Sequence, residues 1–193
     1  MAFTDYVDLR TAVIEQVGDH DIADKFDRLT QLSEAEMNRR LRTRHQITST
    51  ALTVASGVAT LPSDVLEPIG LFMASGAEIL ARAPKSFERL TNKDHSYVIS
   101  GAQLETQDGE YTFEYYAKIP TLTVSMTTSN WVLENYPALY LYAVSVEAAK
   151  SMKDVQMVQD LMALKEIEYA TAIGGDAAER YGSARVRVVG ATP

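Results

Sequence analysis

The side chains best suited to catalysis or metal binding are few and widely spaced in this sequence. Its three histidines, His20, His45 and His95, lie far apart, and each stands beside turn-forming residues. None has a second histidine or a glutamate at the spacing that a helix uses to bind zinc. We therefore expect histidines in solvent-exposed loops, with no metal and no cofactor.

Motifs for covalent or phosphate chemistry are also missing. The sequence contains no glycine-rich phosphate loop, no dinucleotide-binding turn and no nucleophile elbow. With no cysteine, disulfides and thiolate nucleophiles are excluded. Carboxylates are numerous, but an acid and base pair cannot be recognised by spacing alone. The sequence therefore predicts a protein without enzymatic activity. The alternative left open is an enzyme whose catalytic carboxylates meet in the central β region.

Positive charge is concentrated in one place. The segment NRRLRTR carries four arginines, which we call the arginine cluster: Arg39, Arg40, Arg42 and Arg44. Arginines at a helix C-terminus interact favourably with the helix dipole, and each stabilises the helix by about 0.3 to 1 kcal/mol. The alternative is that they bind an acidic partner, including a second copy of the chain. A third hypothesis is a small nucleic-acid-binding protein that uses this cluster on phosphates.

The C-terminal segment ARVRVV alternates arginine with small or β-branched residues, a pattern typical of an exposed strand. Chain ends are mobile by default. The alternation instead favours an arm that adds itself to the surface of a partner and gains main-chain hydrogen bonds there.

Aromatic residues are dense in NWVLENYPALYLY, which holds the only tryptophan, Trp131. Tyr136, Tyr140 and Tyr142 cannot all face one way on a helix, since positions 140 and 142 lie about 200° apart. One side must therefore face outward. Excess aromatic surface of this kind is typical of a contact with a second subunit.

Helical spacing of apolar residues predicts four helices. The first follows a cap at Thr4 or Asp5 and stops at Gly18, and the second runs from about Asp21 to Arg42. A third starts near Pro137, and a fourth is closed by Gly174–Gly175. These helices could form one bundle.

Between the helices, residues 46–118 are rich in threonine, valine and turn dipeptides. A hairpin is predicted around Ser56–Gly57, with further strands at 69–73, about 78–82 and 110–118. The predicted fold class is α+β, a four-helix bundle with a small inserted antiparallel β region and an extended C-terminal arm. The predicted segments are 1–45, 46–118, 119–173 and 174–193.

Composition limits the function. A chain of 193 residues buries roughly 70% of its unfolded surface, enough for one core with an insert. The N-terminus does not read as a secretion signal and no apolar run would span a bilayer, so we expect a soluble protein with no membrane association. The net charge of -8 and the pI near 4.9 oppose general binding to nucleic acid.

Three segments, taken in order, resemble a known family. SEAEMNRRLRTR, GVATLPSDVLEPIGLFM and YYAKIPTLTVSMTTSNWVLENYPALYLYAVSVEAAKSMKD are similar to the head-to-tail adaptor (connector) proteins of tailed bacteriophages. The resemblance covers roughly 20–170, and its most specific part is Asn-Trp followed by a tyrosine-rich helix entered through proline.

The resemblance implies a structural virion protein at the head–tail interface, made in the host cytoplasm. Such adaptors form rings of about twelve copies, dock beneath the portal protein, and bind a tail or nozzle protein on the other face. DNA passes through the channel during ejection without specific binding.

Site residues follow from the same resemblance. The portal-binding arm would comprise Tyr181, Arg185, Val186, Arg187, Val188 and Val189. The subunit interface or channel would comprise Arg39, Arg40, Arg42, Arg44, Trp131, Tyr136, Tyr140 and Tyr142.

Overall fold

The computed structural model describes residues 3, 5–90, 95–123 and 129–181, with the side chains of residues 20 and 178–181 outside that description. Within this part, six α-helices accompany a seven-stranded sheet that nearly closes on itself. The predicted fold class, a helical bundle with a small antiparallel β region, is therefore wrong. The chain forms two compact units. We call residues 1–44 with 119–193 the helical unit, and His45–Lys118 the β unit.

The helical unit begins with α1, Tyr6–Val17, whose ends are set by local chemistry. The Asp5 carboxylate accepts hydrogen bonds from the backbone N–H groups of Val7 and Asp8, and Gly18 ends the helix at φ 73°. This confirms Asp5 as the cap and Gly18 as the stop. A 3-10 helix, His20–Lys25, occupies the predicted start of the second helix, so α2 spans only Phe26–Arg40.

Three further α-helices complete the helical unit: α4, Trp131–Asn135; α5, Pro137–Met152; and α6, Val155–Tyr181. Pro137 stands in the first turn of α5, where no N–H partner is needed. The core of this unit draws on both ends of the chain, since Leu9, Met37 and Leu139 are each 0% exposed in one cluster.

The predicted arm boundary at residue 174 is wrong, because α6 continues through Gly174 and Gly175 to Tyr181. Tyr169, Ala172 and Asp176 are all buried along this stretch. Packing of that face outweighs the glycine penalty of about 1 kcal/mol each. Arm residues 182–193 lie outside the described residues.

The β unit contains seven strands, in the spatial order β1-β7-β3-β4-β5-β6-β2. In chain order they are β1 Ile47–Val54, β2 Val58–Thr60, β3 Val65–Met73, β4 Glu78–Ala81, β5 Ser96–Ser100, β6 Gln103–Glu105 and β7 Gly109–Ala117. The predicted turn at Ser56–Gly57 is confirmed, since both residues have positive φ and Ala55 pairs with Val58. The flanking strands do not pair along their length as a hairpin, because β1 pairs with β7 and β2 pairs with β6.

One strand pair in the β unit is parallel, between β4 and β5. A parallel pair needs a crossover, and here the intervening chain includes the short helix α3, Pro84–Glu88. The strand predicted at 110–118 is confirmed as β7, and its side chains alternate, with Tyr111, Phe113 and Tyr115 in the core of this unit.

The two edge strands, β1 and β2, meet only at the Ala55–Val58 bridge. Beyond that bridge β1 pairs with β7 alone, along its whole length from Ile47 to Val54. Most of β1 is exposed, apart from Leu52 and Val54, which are buried. The described structure thus has an open strand edge on β1.

Candidate interface surfaces

Arg40 connects α2 to α6. Its guanidinium forms two hydrogen bonds to the Glu166 carboxylate, both 2.6 Å, and a third to Glu36 at 3.2 Å. The guanidinium carbon also lies 3.7 Å from the centre of the Tyr169 ring. This bidentate pair with a cation–π contact uses the planar fork of arginine. Most of the donor capacity of Arg40 is therefore used within the chain.

Glu36 lies between Arg40 and Lys165, whose Nζ is 2.9 and 3.0 Å from the two carboxylate oxygens. Burial acts to raise the pKa of Glu36, but the hydrogen bonds and charges of Lys165 and Arg40 outweigh it, so the pKa lies below the ordinary value of 4.5. Since Lys165 is only 3% exposed, its ammonium group depends on this ionised carboxylate.

The other members of the arginine cluster differ in their surroundings. Arg42 donates to the backbone oxygens of Asn38, at 2.8 Å, and Leu41, at 2.6 Å, so it satisfies carbonyls at the end of α2. The backbone N–H of Arg44 donates to Asp176 at 2.7 Å. Arg39 is exposed and forms neither a hydrogen bond nor an ion pair within the described residues.

This division of roles affects the hypotheses for the cluster. Two of its guanidinium groups, those of Arg40 and Arg42, already bind groups of the same chain. A phosphate backbone would have to compete with those contacts. The arrangement does not favour the nucleic-acid hypothesis, whereas Arg39 stays available to an acidic partner.

Tyr140 lies in the interior, where its hydroxyl connects α2, α4 and α5. It is 0% exposed, donates to Glu34 at 2.6 Å, and accepts from the Asn130 amide at 3.1 Å. Glu34 also accepts from the backbone N–H of Leu122 at 2.8 Å. Tyr140 therefore supports the helical unit from within, and its side chain presents no surface to a neighbouring subunit.

Burial governs the acidity of this network. It raises the pKa of Glu34, although the hydrogen bonds from Tyr140, Leu122 and Thr121 oppose the shift. Burial also raises the pKa of Tyr140 well above its ordinary value, and the Glu34 charge adds to the effect. The network holds the chain segment that re-enters the helical unit after the β unit.

The remaining aromatic residues of the stretch are half-buried. Trp131 and Tyr136 meet edge to face, with ring centres 6.3 Å apart, and Tyr142 packs against the core with part of its surface outward. Rings that combine a packed side with an exposed side are suited to a subunit contact. The predicted interface role of these three residues stays a prediction.

A depression of about 520 Å³ in the β unit is lined by Thr60, Leu61, Pro62, Ser63, Val65, Leu66, Pro68, Ile99, Gly101 and Ala102. It has no carboxylate in its lining, so it does not support the enzyme hypothesis. Across the residues that the structure covers, no cluster of three metal-ligating side chains occurs, and no helix there has both the length and the apolar character of a membrane span.

The proposed arm residues cannot be placed. Tyr181 is the last residue of α6, and its side chain is not described. Arg185, Val186, Arg187, Val188 and Val189 lie outside the described residues.

The decisive comparison is with a family model described as SU10 adaptor protein, which matches residues 4–189, nearly the whole chain. The chain belongs to the SU10 adaptor protein family. No curated protein matches the sequence. Membership confirms the resemblance to phage head–tail adaptors. An SU10 adaptor protein is a structural component of the virion at the head–tail junction, and the family implies interaction with portal and tail components.

Sequence reasoning missed two residues of this adaptor's interior network. Asn130 accepts from the backbone N–H groups of Val132 and Leu133 and caps α4. The preference for asparagine before a helix could have identified it. No sequence signal marks Glu34, because a carboxylate in SEAE reads as solvent-exposed.

Proposed function

We propose that this protein forms a ring beneath the portal, connects it to a tail or nozzle protein, and surrounds the channel through which DNA leaves. The observation that carries the proposal is the family match over residues 4–189. Copies related by rotation, each in heterologous contact with the next, close into such a ring. The resemblance noted above implies that the ring contains about twelve copies. Synthesis would take place in the host cytoplasm before assembly.

The charge of the chain supports a channel role. A net charge of -8 gives weak repulsion of phosphate, so DNA would slide past without binding. The proposal involves no catalysis and no cofactor.

Within the ring, Arg39 would meet a carboxylate of the neighbouring copy, and Trp131, Tyr136 and Tyr142 would supply aromatic contact area. The exposed position of Arg39 and the half-buried positions of the three rings support this placement. Arg40, Arg42 and Arg44 would lie at the same boundary or near the channel. The side chains of Arg40 and Arg42 would keep their contacts within the chain there.

The arm that follows α6 would bind the portal, through Arg185 and Arg187 with Val186, Val188 and Val189, starting at Tyr181. Alternating arginine and valine supports an extended arm that gains both main-chain hydrogen bonds and charge pairs.

Mixing the purified protein with the portal protein of the same phage tests the proposal. We expect a ring-shaped complex by negative-stain electron microscopy and a matching mass by light scattering. Arg185→Glu with Arg187→Glu should weaken portal binding by more than about tenfold, since two charge-assisted contacts are reversed.

The matched control is Lys85→Glu with Arg89→Glu, which makes the same charge change at two exposed positions of the β unit. It should bind the portal as the unmodified protein does. Absence of any complex at micromolar concentration would contradict the proposed function. Equal binding by the arm variant would contradict only the arm assignment.

A further inference from the structure

The open edge of β1 is unusually unprotected. Natural sheets shield their edges with lysine, proline, bulges or a covering segment. The β1 sequence ITSTALTV has no charged residue and no proline, its pairing with β7 is regular over eight residues, and Ile47, Ser49 and Ala51 are exposed. Such an edge is a template for an added strand.

The direction of the backbone groups identifies the positions that would accept that strand. Ala55 exchanges both backbone hydrogen bonds with Val58, at 3.2 Å each, so its polar groups point away from β7. Backbone polar groups alternate between the two sides of a strand. Those of Ile47, Ser49 and Ala51 therefore also point to the open edge, while those of the even-numbered residues pair with β7.

Charge next to this edge is negative. Glu110 and Glu114 stand on β7 opposite Thr53 and Ser49, and their carboxylates accept hydrogen bonds from those two hydroxyls. No lysine or arginine occurs between Gln46 and Arg82. Because Ser49 and Ala51 are small, a long basic side chain on an added strand could reach across β1 to the glutamates.

The chain itself contains a segment of the required chemistry. Residues 184–189, ARVRVV, follow α6 in a stretch of twelve residues, 182–193. Extended, six residues span about 20 Å, the length of six residues of β1. Arginine at alternate positions would place both guanidinium groups on one face of the added strand.

We propose that the β1 edge of one copy binds residues 184–189 of a second copy as an added strand, before the portal is present. The inference rests on the proposed function, because it gives the portal-binding arm a second binding site in copies that are not yet assembled beneath the portal. Portal binding would then compete with the β1 edge for the same arm.

Cross-linking tests the pairing directly, since the chain has no native cysteine. Copies carrying Ala51→Cys are mixed with tagged copies carrying one cysteine at each position from 184 to 189, and disulfides between tagged and untagged chains are measured. We expect high yield at every second arm position only, because alternate side chains share one face. The control acceptor is Ser100→Cys, an exposed position elsewhere in the β unit, which should give at most about a tenth of the yield.

Two sets of variants separate the backbone from the charge contribution. Ala51→Pro removes an N–H that points to the edge and is not needed by β7, so the sheet should keep its far-UV circular dichroism while cross-linking at Ser49→Cys falls about tenfold. Glu110→Gln with Glu114→Gln leaves the backbone intact and should lower the yield about three- to fivefold.

Uniform yield along the arm, or equal yield at Ser100→Cys, would overturn the inference. A disulfide within a single chain carrying both Ala51→Cys and an arm cysteine, without links between copies, would also overturn it in favour of the chain's own arm. Portal binding distinguishes the two proposals. If the Ala51→Pro protein binds the portal and no cysteine variant cross-links, this inference fails and the proposed function stands. If the cysteine variants cross-link but the protein does not bind the portal, the proposed function fails and the strand pairing stands.

Discussion

The hydroxyl of Tyr140 joins parts of the chain that are far apart in sequence. It donates to Glu34 on α2, accepts from Asn130 at the start of α4, and belongs to α5. Asn130 also donates to the backbone oxygen of Pro120 at 2.8 Å. Glu34 Oε1 and Asn130 Nδ2 thus each depend on the Tyr140 hydroxyl for one of their hydrogen bonds.

Tyr140→Phe should lower the free energy of unfolding by about 1 to 3 kcal/mol, because it leaves Glu34 and Asn130 each short of a buried partner. Urea denaturation measures the change. Tyr142→Phe is the matched control: its ring is half-buried, and the effect should stay within about 0.5 kcal/mol. Equal effects of the two variants would show that the network contributes nothing specific.

Glu34 and Glu36 should give opposite dependences of stability on pH. The folded pKa of Glu34 is raised above 4.5, so its stabilising contribution is full below pH 4.5 and is lost as pH rises through the folded pKa. The folded pKa of Glu36 is lowered, so its contribution is present above pH 4.5 and is lost as pH falls through the folded pKa.

Relative to the unmodified protein, Glu34→Gln should therefore gain stability as pH rises above 4.5. Glu36→Gln should gain relative stability as pH falls below 4.5. Denaturation curves from about pH 3 to about pH 8 measure both differences. Parallel curves for the two variants would contradict the assignment of the shifts.

Among the elements, helix ends were predicted well where a single residue decides them. Asp5 and Gly18 act through their own side chain or backbone freedom, so the sequence identifies them directly. Gly174 was misread as a stop because the face of α6 that carries Tyr169 and Ala172 is buried by tertiary packing. A local signal cannot report that contribution.

The strands show the same limit. The turn at Ser56–Gly57 and the strand β7 follow from local patterns and were predicted. Strands β5 and β6 were missed. The pairing of β5 with β4 is parallel and joins segments separated by a crossover. Strand β6 has only three residues, which is too short to show an alternating pattern. The size of the sheet, and with it the fold class, depended on those non-local pairings.

Gly174→Ala should raise the melting temperature of the helical unit. Gly174 lies inside α6 without positive φ, and an added methyl group would meet no atom within 4 Å, so the gain is about 0.8 to 1 kcal/mol of helix propensity. Gly18→Ala is the control of opposite sign, since φ is +73° there and alanine is strained. Differential scanning calorimetry measures both, and a loss of stability in Gly174→Ala would reveal a contact that requires glycine.

For the whole molecule, separate cores in the two units predict separate responses to core mutations. Leu71 is 0% exposed in the core of the β unit, and Leu9 is 0% exposed in that of the helical unit. Leu71→Ala should cost about 2 to 5 kcal/mol and lower hydrogen-exchange protection within His45–Lys118. Leu9→Ala should act on the helical unit instead. If either variant lowered protection evenly across the described residues, the cores would be one cooperative body.

The helical unit combines residues from both sides of the β unit, and this order affects its synthesis. When α1 and α2 leave the ribosome, the helices that cover Leu9 and Met37 have not been translated. At the usual elongation rate, the chain from Ile119 to Ala172 takes about 3 to 10 s to appear. The β unit, which is continuous in sequence, can fold during that interval, while the apolar faces of the first two helices await their partners and offer a binding site to chaperones.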